Sequence, residues 1–191
     1  MPDAPTPAVP RRVYIVGLAG SGKTSLARRL AQRYGLRHIE IDALHWQPNW
    51  QETPKDELYA RVKAMLDETP RWTADGNYSV LRGLLWTAAD TIIWLDYSLG
   101  LVLWRLWRRT WQRVFSREEL WNGNRETLRG ALFSKDSLFL YVLRVHRRRK
   151  RTYEALFAER ANPGAVYLRF RHPRELAAWR SEEHTSELQS Q

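Results

Sequence analysis

Apolar runs of strand length alternate along this chain with stretches whose apolar residues return every three or four positions. Val13-Tyr14-Ile15-Val16 and Thr91-Ile92-Ile93-Trp94-Leu95-Asp96 are the two clearest runs, and continuous apolar character is what a strand buried on both faces requires. Three weaker candidates accompany them. Arg37-His38-Ile39-Glu40-Ile41-Asp42 alternates and ends in an acid, Trp72-Thr73-Ala74-Asp75-Gly76 does the same over a shorter span, and Ala165-Val166-Tyr167-Leu168-Arg169-Phe170 follows the turn Asn162-Pro163-Gly164. Between the strands lie helical patterns. Leu26, Ala27, Leu30, Ala31 and Tyr34 form one, with Gly35 as its stop. Leu58, Val62, Met65 and Leu66 form a second, with Thr53 expected as N-cap and Pro54 in the first helical position. Val80, Leu81, Leu84 and Leu85 form a third. Strand alternating with helix predicts βαβ units around a parallel sheet, an α/β fold.

The second half of the chain changes character. From Leu101 to Phe115, a turn of about 100° per residue places Arg105, Arg108, Arg109, Gln112 and Arg113 on one side. Leu103, Trp104, Leu106, Trp107, Trp111 and Val114 fall on the other. Asn122-Gly123-Asn124 breaks this pattern, and a second long helix is expected from Asp136 to Ala158, with a short one after Pro173. Ala43 to Trp50 is aromatic and irregular and reads as a packed loop.

Both ends stand outside the pattern. Residues 1–12 are rich in proline and read as a disordered lead-in without the apolar core of a signal peptide. After Trp179 the apolar rhythm stops. Residues 180–191 look like the translation of a common sequencing-adapter read and are set aside as a non-native tail. One domain is therefore expected over residues 13–179, with about 101–158 as a basic insertion.

Charge sharpens the picture in one place. The net charge is +10, and residues 101–151 hold 14 Lys and Arg against 4 acids, so this segment carries the whole imbalance. The chain has no cysteine, which excludes disulfides and thiolate metal sites. No apolar run approaches the roughly 20 residues of a membrane span. A soluble, cytoplasmic protein is the expectation.

The chemistry sits after the first strand. Gly17-Leu18-Ala19-Gly20-Ser21-Gly22-Lys23-Thr24 fits G-x-x-x-x-G-K-[ST], the phosphate-binding loop of nucleoside-triphosphate proteins. Glycines let successive backbone N–H groups point inward as a nest for phosphate oxygens, and the following helix adds the partial positive charge of its N-terminus. Gly17, Gly20, Ser21, Gly22, Lys23, Thr24 and Ser25 are the expected ATP contacts, with Lys23 on the β- and γ-phosphates and the Thr24 hydroxyl on Mg²⁺.

The order of these features resembles the adenylate-kinase-like P-loop kinases. Within them it is similar to the bacterial DNA-topology-modulation proteins, over roughly residues 13–172. The resemblance is carried by the loop, by Asp42-Ala43-Leu44-His45-Trp46-Gln47-Pro48-Asn49-Trp50, by Asp75-Gly76-Asn77-Tyr78 and by Arg105 and Arg109 after Leu95-Asp96. It implies a P-loop NTPase three-layer sandwich, with a five-stranded parallel sheet and a helical lid inserted after the fourth strand. It also implies that Asp75 helps hold the water shell of Mg²⁺ and that Arg105 and Arg109 clamp transferring phosphates. Adenylate kinases carry Pro-Arg two residues after the glycine of D-G-[FY]-P-R; here Tyr78-Ser79 stands there, which speaks against AMP as acceptor.

Alternatives stay open at three points. Asp75 and Asp96 both end apolar strands, and either could be the Mg²⁺-associated acid while the other caps a helix. Asp42 could accept the proton of an acceptor hydroxyl, bind that acceptor, or be a solvated strand-end carboxylate. The basic segment could be a lid over phosphates, a nucleic-acid footprint, or a solvated face touching anionic lipid through its tryptophans. The two functional readings are therefore an ATP- and Mg²⁺-dependent kinase acting on a small acceptor, and a nucleic-acid-binding P-loop NTPase or regulator.

Overall fold

The computed structural model describes residues 9–116, 119–124 and 138–189, the last seven of these by backbone alone. Five strands lie in one parallel sheet: β1 (Arg12–Gly17), β2 (Arg37–Glu40), β5 (Trp72–Asp75), β6 (Thr91–Leu95) and β7 (Val166–Phe170), in the spatial order β2-β5-β1-β6-β7. A separate two-stranded hairpin pairs β3 (Trp46–Gln47) with β4 (Gln51–Glu52). The helices are α1 (Lys23–Tyr34), α2 (Ile41–His45), α3 (Lys55–Glu68), α4 (Ser79–Ala88), α5 (Leu99–Ser116), α6 (Leu138–Ala158) and α7 (Pro173–Gln189).

The two-residue side-chain period of β1 builds the two cores. Val13 and Ile15 face one layer with Leu26, Leu30, Val102, Leu106, Val142 and Val145. Tyr14 and Val16 face the other with Leu58, Val62, Leu81, Leu85 and Tyr153. Both faces of the sheet are thus covered, which is why β1 and β6 read as unbroken apolar runs. Full burial of a side chain such as Ile15 or Ile93 contributes on the order of 1.5–3 kcal/mol. Helix α6 belongs to both layers, through Val142 and Val145 to one and Tyr153 to the other. That double allegiance brings one residue of its arginine block, Arg149, to Asn77 beside the end of β1.

Several sequence expectations shift by a few residues. The lead-in ends before residue 12: Pro10 is buried, and Trp72 N–H donates to Arg11 C=O at 2.8 Å. The Asp90 carboxylate accepts from the Arg11 and Arg12 N–H groups at 3.2 and 2.9 Å. Residues 1–8 lie outside the described residues. Strand β2 stops at Glu40, so Asp42 sits in the first turn of α2, still at the carboxyl edge of the sheet. Pro54, not Thr53, is the N-cap residue of α3. Thr53 instead ties the hairpin, donating its hydroxyl to Leu44 C=O at 2.9 Å and accepting from Gln47 Nε2 at 3.3 Å. Helix α7 is longer than expected because no Gly or Pro interrupts the chain after Pro173; Leu176 and Trp179 are what pack against the core. The middle of the insertion, residues 125–137, lies outside the described residues, including the expected helix start at Asp136.

Helix α5 does not divide cleanly into a buried apolar face and an exposed basic one. Val102, Leu106 and Thr110 are its buried residues, and Arg105 and Arg109 lie half-buried on that same side. Trp104 and Trp107 point outward. Arg105 and Arg109 pack on the protein beside Leu106, whereas Arg108 and Gln112 are exposed and Trp111 is half-buried. The reason is the neighbour that α5 meets: Val102 C=O and Leu106 sit directly against Gly20 of the phosphate loop.

Candidate active site

The carboxyl ends of β1, β2 and β5 bring the candidate residues together, at the edge where open parallel sheets place their ligands. Gly17, Gly20 and Gly22 all have positive φ, at 148°, 84° and 95°. A Cβ on Gly20 would stand 2.8 Å from Val102 C=O, so the left-handed conformation and the close approach of α5 both demand glycine there. Ser21 N–H closes the loop on Leu18 C=O at 3.1 Å. The Ser21 hydroxyl is buried and has no hydrogen-bond partner among the described residues. An orphaned hydroxyl within a glycine nest that opens into α1 fits a phosphate-binding cradle.

Lys23 crosses the loop and donates from Nζ to Leu18 C=O at 3.0 Å. Burial pulls its ammonium down to about 8, against the opposing pull of Asp75 and Asp42; the nearby Arg149 and Arg109 charges lower it further. Thr24 Oγ1 donates to Asp75 Oδ2 at 2.6 Å, and His38 Nε2 meets Asp75 Oδ1 at 2.7 Å. Both oxygens of this carboxylate, itself 2% exposed, are thereby oriented. Asp96 is committed elsewhere: Arg169 donates to its Oδ2 from Nη2 at 2.6 Å and from Nε at 3.1 Å, while stacking 4.2 Å above the Trp94 ring. Of the two strand-end acids, Asp75 is the one that faces the loop.

Asp42 Oδ1 accepts from the Tyr78 hydroxyl at 2.6 Å. Burial lifts the Asp42 carboxyl above its ordinary value, and the Tyr78 hydrogen bond and Lys23 work against that rise. His45 packs against Tyr78 and Trp46 at ring separations of 4.5 and 4.7 Å. The Asp42–Trp50 and Asp75–Tyr78 segments, far apart in sequence, therefore form one wall.

From the basic segment, Arg105 Nη1 donates to Ser21 C=O at 3.3 Å and its guanidinium stands 5.3 Å from the centre of the Tyr97 ring. Arg109 follows one turn later on the same face. Ser25, expected among the nucleotide contacts, is exposed at the start of α1.

Three contributors were given no part in the nucleotide site by the sequence, although Arg149 stood with Arg147 and Arg148 as a candidate nucleic-acid contact and Asn77 lies within the Asp75–Tyr78 motif. Arg149 donates to Asn77 C=O at 3.3 Å and to the Tyr141 hydroxyl. It shares the inward face of α6 with Val145 and Tyr153, four residues to either side, whereas Arg147, Arg148 and Arg151 are exposed. The spacing to Val145 and Tyr153 was the available signal. Asn77 holds the loop itself: its Oδ1 accepts from Gly17 N–H at 3.4 Å and its Nδ2 donates to Gly17 C=O. Ile15 is in register with Asp75, so Gly17 lies opposite Asn77 and the side-chain amide takes over where the β1–β5 ladder ends. Tyr153 donates to Asn77 Oδ1 at 3.0 Å, linking α6 to the loop. His38, on β2, is the third contributor, and nothing in the alternation of β2 marks it out.

The chain after α5 docks on the hairpin. Asn124 donates to Gln47 C=O at 2.9 Å and accepts from Trp50 N–H at 2.9 Å, and Trp121 Nε1 donates to Glu40 at 2.9 Å. Among the described residues no group of three or more His, Asp or Glu side chains converges to hold a metal unaided. That is compatible with Mg²⁺, which keeps several waters and takes few protein ligands. Also among the described residues, no helix is long and apolar enough to cross a membrane.

No protein-family model matches the chain. A shikimate kinase from Acinetobacter baumannii, solved in complex with shikimate, is structurally similar with a TM-score of 0.57. The identity is 16%, and the match covers 93% of this chain and 94% of that one. A gluconokinase from Sinorhizobium meliloti 1021 matches at a TM-score of 0.40 and 21% identity, over 55% of this chain and 67% of that one. The five-stranded parallel sheet with helices on both faces is the P-loop NTPase fold.

Proposed function

We propose that this protein binds ATP with Mg²⁺ and transfers the γ-phosphoryl group to a hydroxyl of a small acceptor. The observation that carries this reading is the convergence on one sheet edge of the Gly17–Thr24 loop, the Thr24–Asp75 pair, Asp42, and the inward arginines of α5 and α6. Mg²⁺ would be held through the Thr24 hydroxyl and the water shell oriented by Asp75, and it would spread the negative charge of the phosphates. Lys23 and the backbone N–H groups of the loop bind the nucleotide phosphates. Arg105, Arg109 and Arg149 neutralise the charge that develops on the transferred group. Asp42, whose carboxyl is lifted above its ordinary value by burial, orients the acceptor hydroxyl and, ionised, takes its proton as the oxygen attacks phosphorus. No covalent intermediate is needed, since positioning and electrostatics suffice for phosphoryl transfer.

The wall formed by His45, Trp46 and Tyr78 beside Asp42 supports an acceptor side distinct from the nucleotide side. The two segments that build it are those resembling the DNA-topology-modulation proteins. The nucleic-acid reading of the basic segment loses Arg105, Arg109 and Arg149 to the site and would have to rest on outward residues such as Arg147 and Arg148. The deciding experiment is a phosphorylation screen with γ-labelled ATP against nucleosides, nucleotides and small hydroxylated metabolites, with Lys23→Ala as the blank. Label moving to none of them, or equally well with the variant, sinks the reading. AMP, in the same screen, is expected to be a poor acceptor.

The metal assignment has its own test. Thr24→Val keeps the shape and loses the hydroxyl, and Asp75→Asn loses the charge. Each is expected to raise the Mg²⁺ concentration for half-maximal turnover by roughly 10- to 100-fold. Asp96→Asn breaks the Arg169 pair and should lower the melting temperature without moving the Mg²⁺ requirement. A Mg²⁺ shift with Asp96→Asn alone reverses the assignment.

A further inference from the structure

The outward face of α5 is unlike the surface of an ordinary helix. Trp104, Trp107, Trp111 and Phe115 recur at intervals of three and four residues and form one stripe. Trp104 is 54% exposed, Trp107 48% and Phe115 73%, while Trp111 is half-buried with its indole Nε1 turned in. Arg108 lies within the stripe, its guanidinium 5.8 Å from the centre of the Trp104 ring. Trp107 meets Trp111 edge-on at 5.8 Å, and Trp111 stacks on Phe115 at 5.1 Å. Helix α6 packs into the same core layer and presents Leu140, Tyr141 and Leu143 outward in its first turns, then Arg144, Arg147, Arg148, Lys150 and Arg151. The apolar and cationic groups of both helices are left facing solvent once their inner faces have closed over the phosphate loop.

We propose that this face is a docking surface for an anionic phospholipid bilayer, with α5 lying in the interface. Three features select that occupant. Tryptophan and arginine together match the chemistry of the headgroup region, where an amphipathic ring and a cation are both satisfied. A second copy of the chain is disfavoured by charge, because pairing two such faces brings their arginines together. Stacking of bases of a single-stranded nucleic acid is disfavoured, because Trp111 and Phe115 already stack on each other and the Arg108 guanidinium stands over the Trp104 ring. Docking here does not rest on the proposed phosphoryl transfer: none of these residues reaches the phosphate loop, and Tyr141 alone touches that site, through its hydroxyl accepting from Arg149. Docking would seat the opposite side of the helix that carries Arg105 and Arg109.

The test uses the full chain in co-sedimentation with vesicles of phosphatidylcholine alone and of phosphatidylcholine with about one-third phosphatidylglycerol. Wild type should pellet with the anionic vesicles and stay in solution with the neutral ones. The Trp104→Ser/Trp107→Ser double variant keeps the net charge, so it separates this face from general attraction to a chain of charge +10. It should weaken partition roughly tenfold, and Arg108→Glu should weaken it by a similar factor. Both sites are exposed, so thermal unfolding should match wild type. Four outcomes overturn the proposal. They are no pelleting with anionic vesicles, equal binding of the double variant, a lipid-free dimer that the double variant abolishes, and binding of a DNA oligonucleotide that the double variant loses while vesicles fail to compete.

Discussion

Lys23→Met is expected to fold and to lose phosphoryl transfer by about 10³-fold or more, because it removes the charged side chain that rises from the phosphate loop itself and lies across it. Steady-state turnover with labelled ATP measures it. The same residue sets a pH dependence with two opposite signs. Folding lowers the Lys23 ammonium from 10.5 to about 8, so between those values the unfolded chain holds a proton that the native chain has released. Stability of the nucleotide-free protein should therefore rise as pH goes from about 8 toward 10.5. Nucleotide affinity runs the other way. Phosphate favours the charged ammonium, so binding above about pH 8 must take up a proton and should weaken by up to roughly tenfold per pH unit. Lys23→Met should remove both slopes. Affinity that is flat from pH 7 to 9.5 in wild type would show that Lys23 does not meet the phosphates.

The second large effect lies in the basic segment. The Arg105→Ala/Arg109→Ala double variant should cut kcat by about 10³-fold while leaving the fold intact, since arginines placed on the transferring group supply stabilisation of that order. Arg149→Ala should also lower kcat, by roughly 10²-fold. Arg147→Ala/Arg148→Ala should leave it unchanged. These three sit within a run of consecutive arginines of identical chemistry, and only the turn of the helix separates them: Arg149 reaches Asn77 beside Gly17, whereas its two predecessors face solvent. Full turnover in the Arg105/Arg109 variant would remove α5 from the site. Loss of turnover in the Arg147/Arg148 variant, with Arg149→Ala active, would invert the assignment on α6.

Much of the architecture was legible before any coordinates. The continuous runs at Val13–Val16 and Thr91–Leu95 are buried on both sides by covering helices, so their pattern needs no partner to be recognised. The Gly17–Thr24 loop is legible for a related reason. Its conformation is dictated by residues adjacent in sequence, and only glycine tolerates the φ and the close contact at Gly20. The hairpin at Trp46–Glu52 was not legible, because two-residue strands are too short to show a period and, beside the local tie through Thr53, it is held by Asn122 and Asn124, more than 70 positions away.

Local sequence therefore determined the order of strands and helices, the phosphate loop and the strand-end acids, since these follow from backbone preferences and from burial patterns within a few residues. Tertiary structure decided between chemically equal candidates. It drew Asp96 into a pair with Arg169 and left Asp75 to Thr24, and it turned Arg105 and Arg109 of α5 inward while leaving Trp104, Trp107 and Arg108 out. It also separated Arg149 from the arginines beside it. A side chain's type and spacing say what it can bind, but which partner lies within 3 Å depends on segments brought together only when the chain closes on itself.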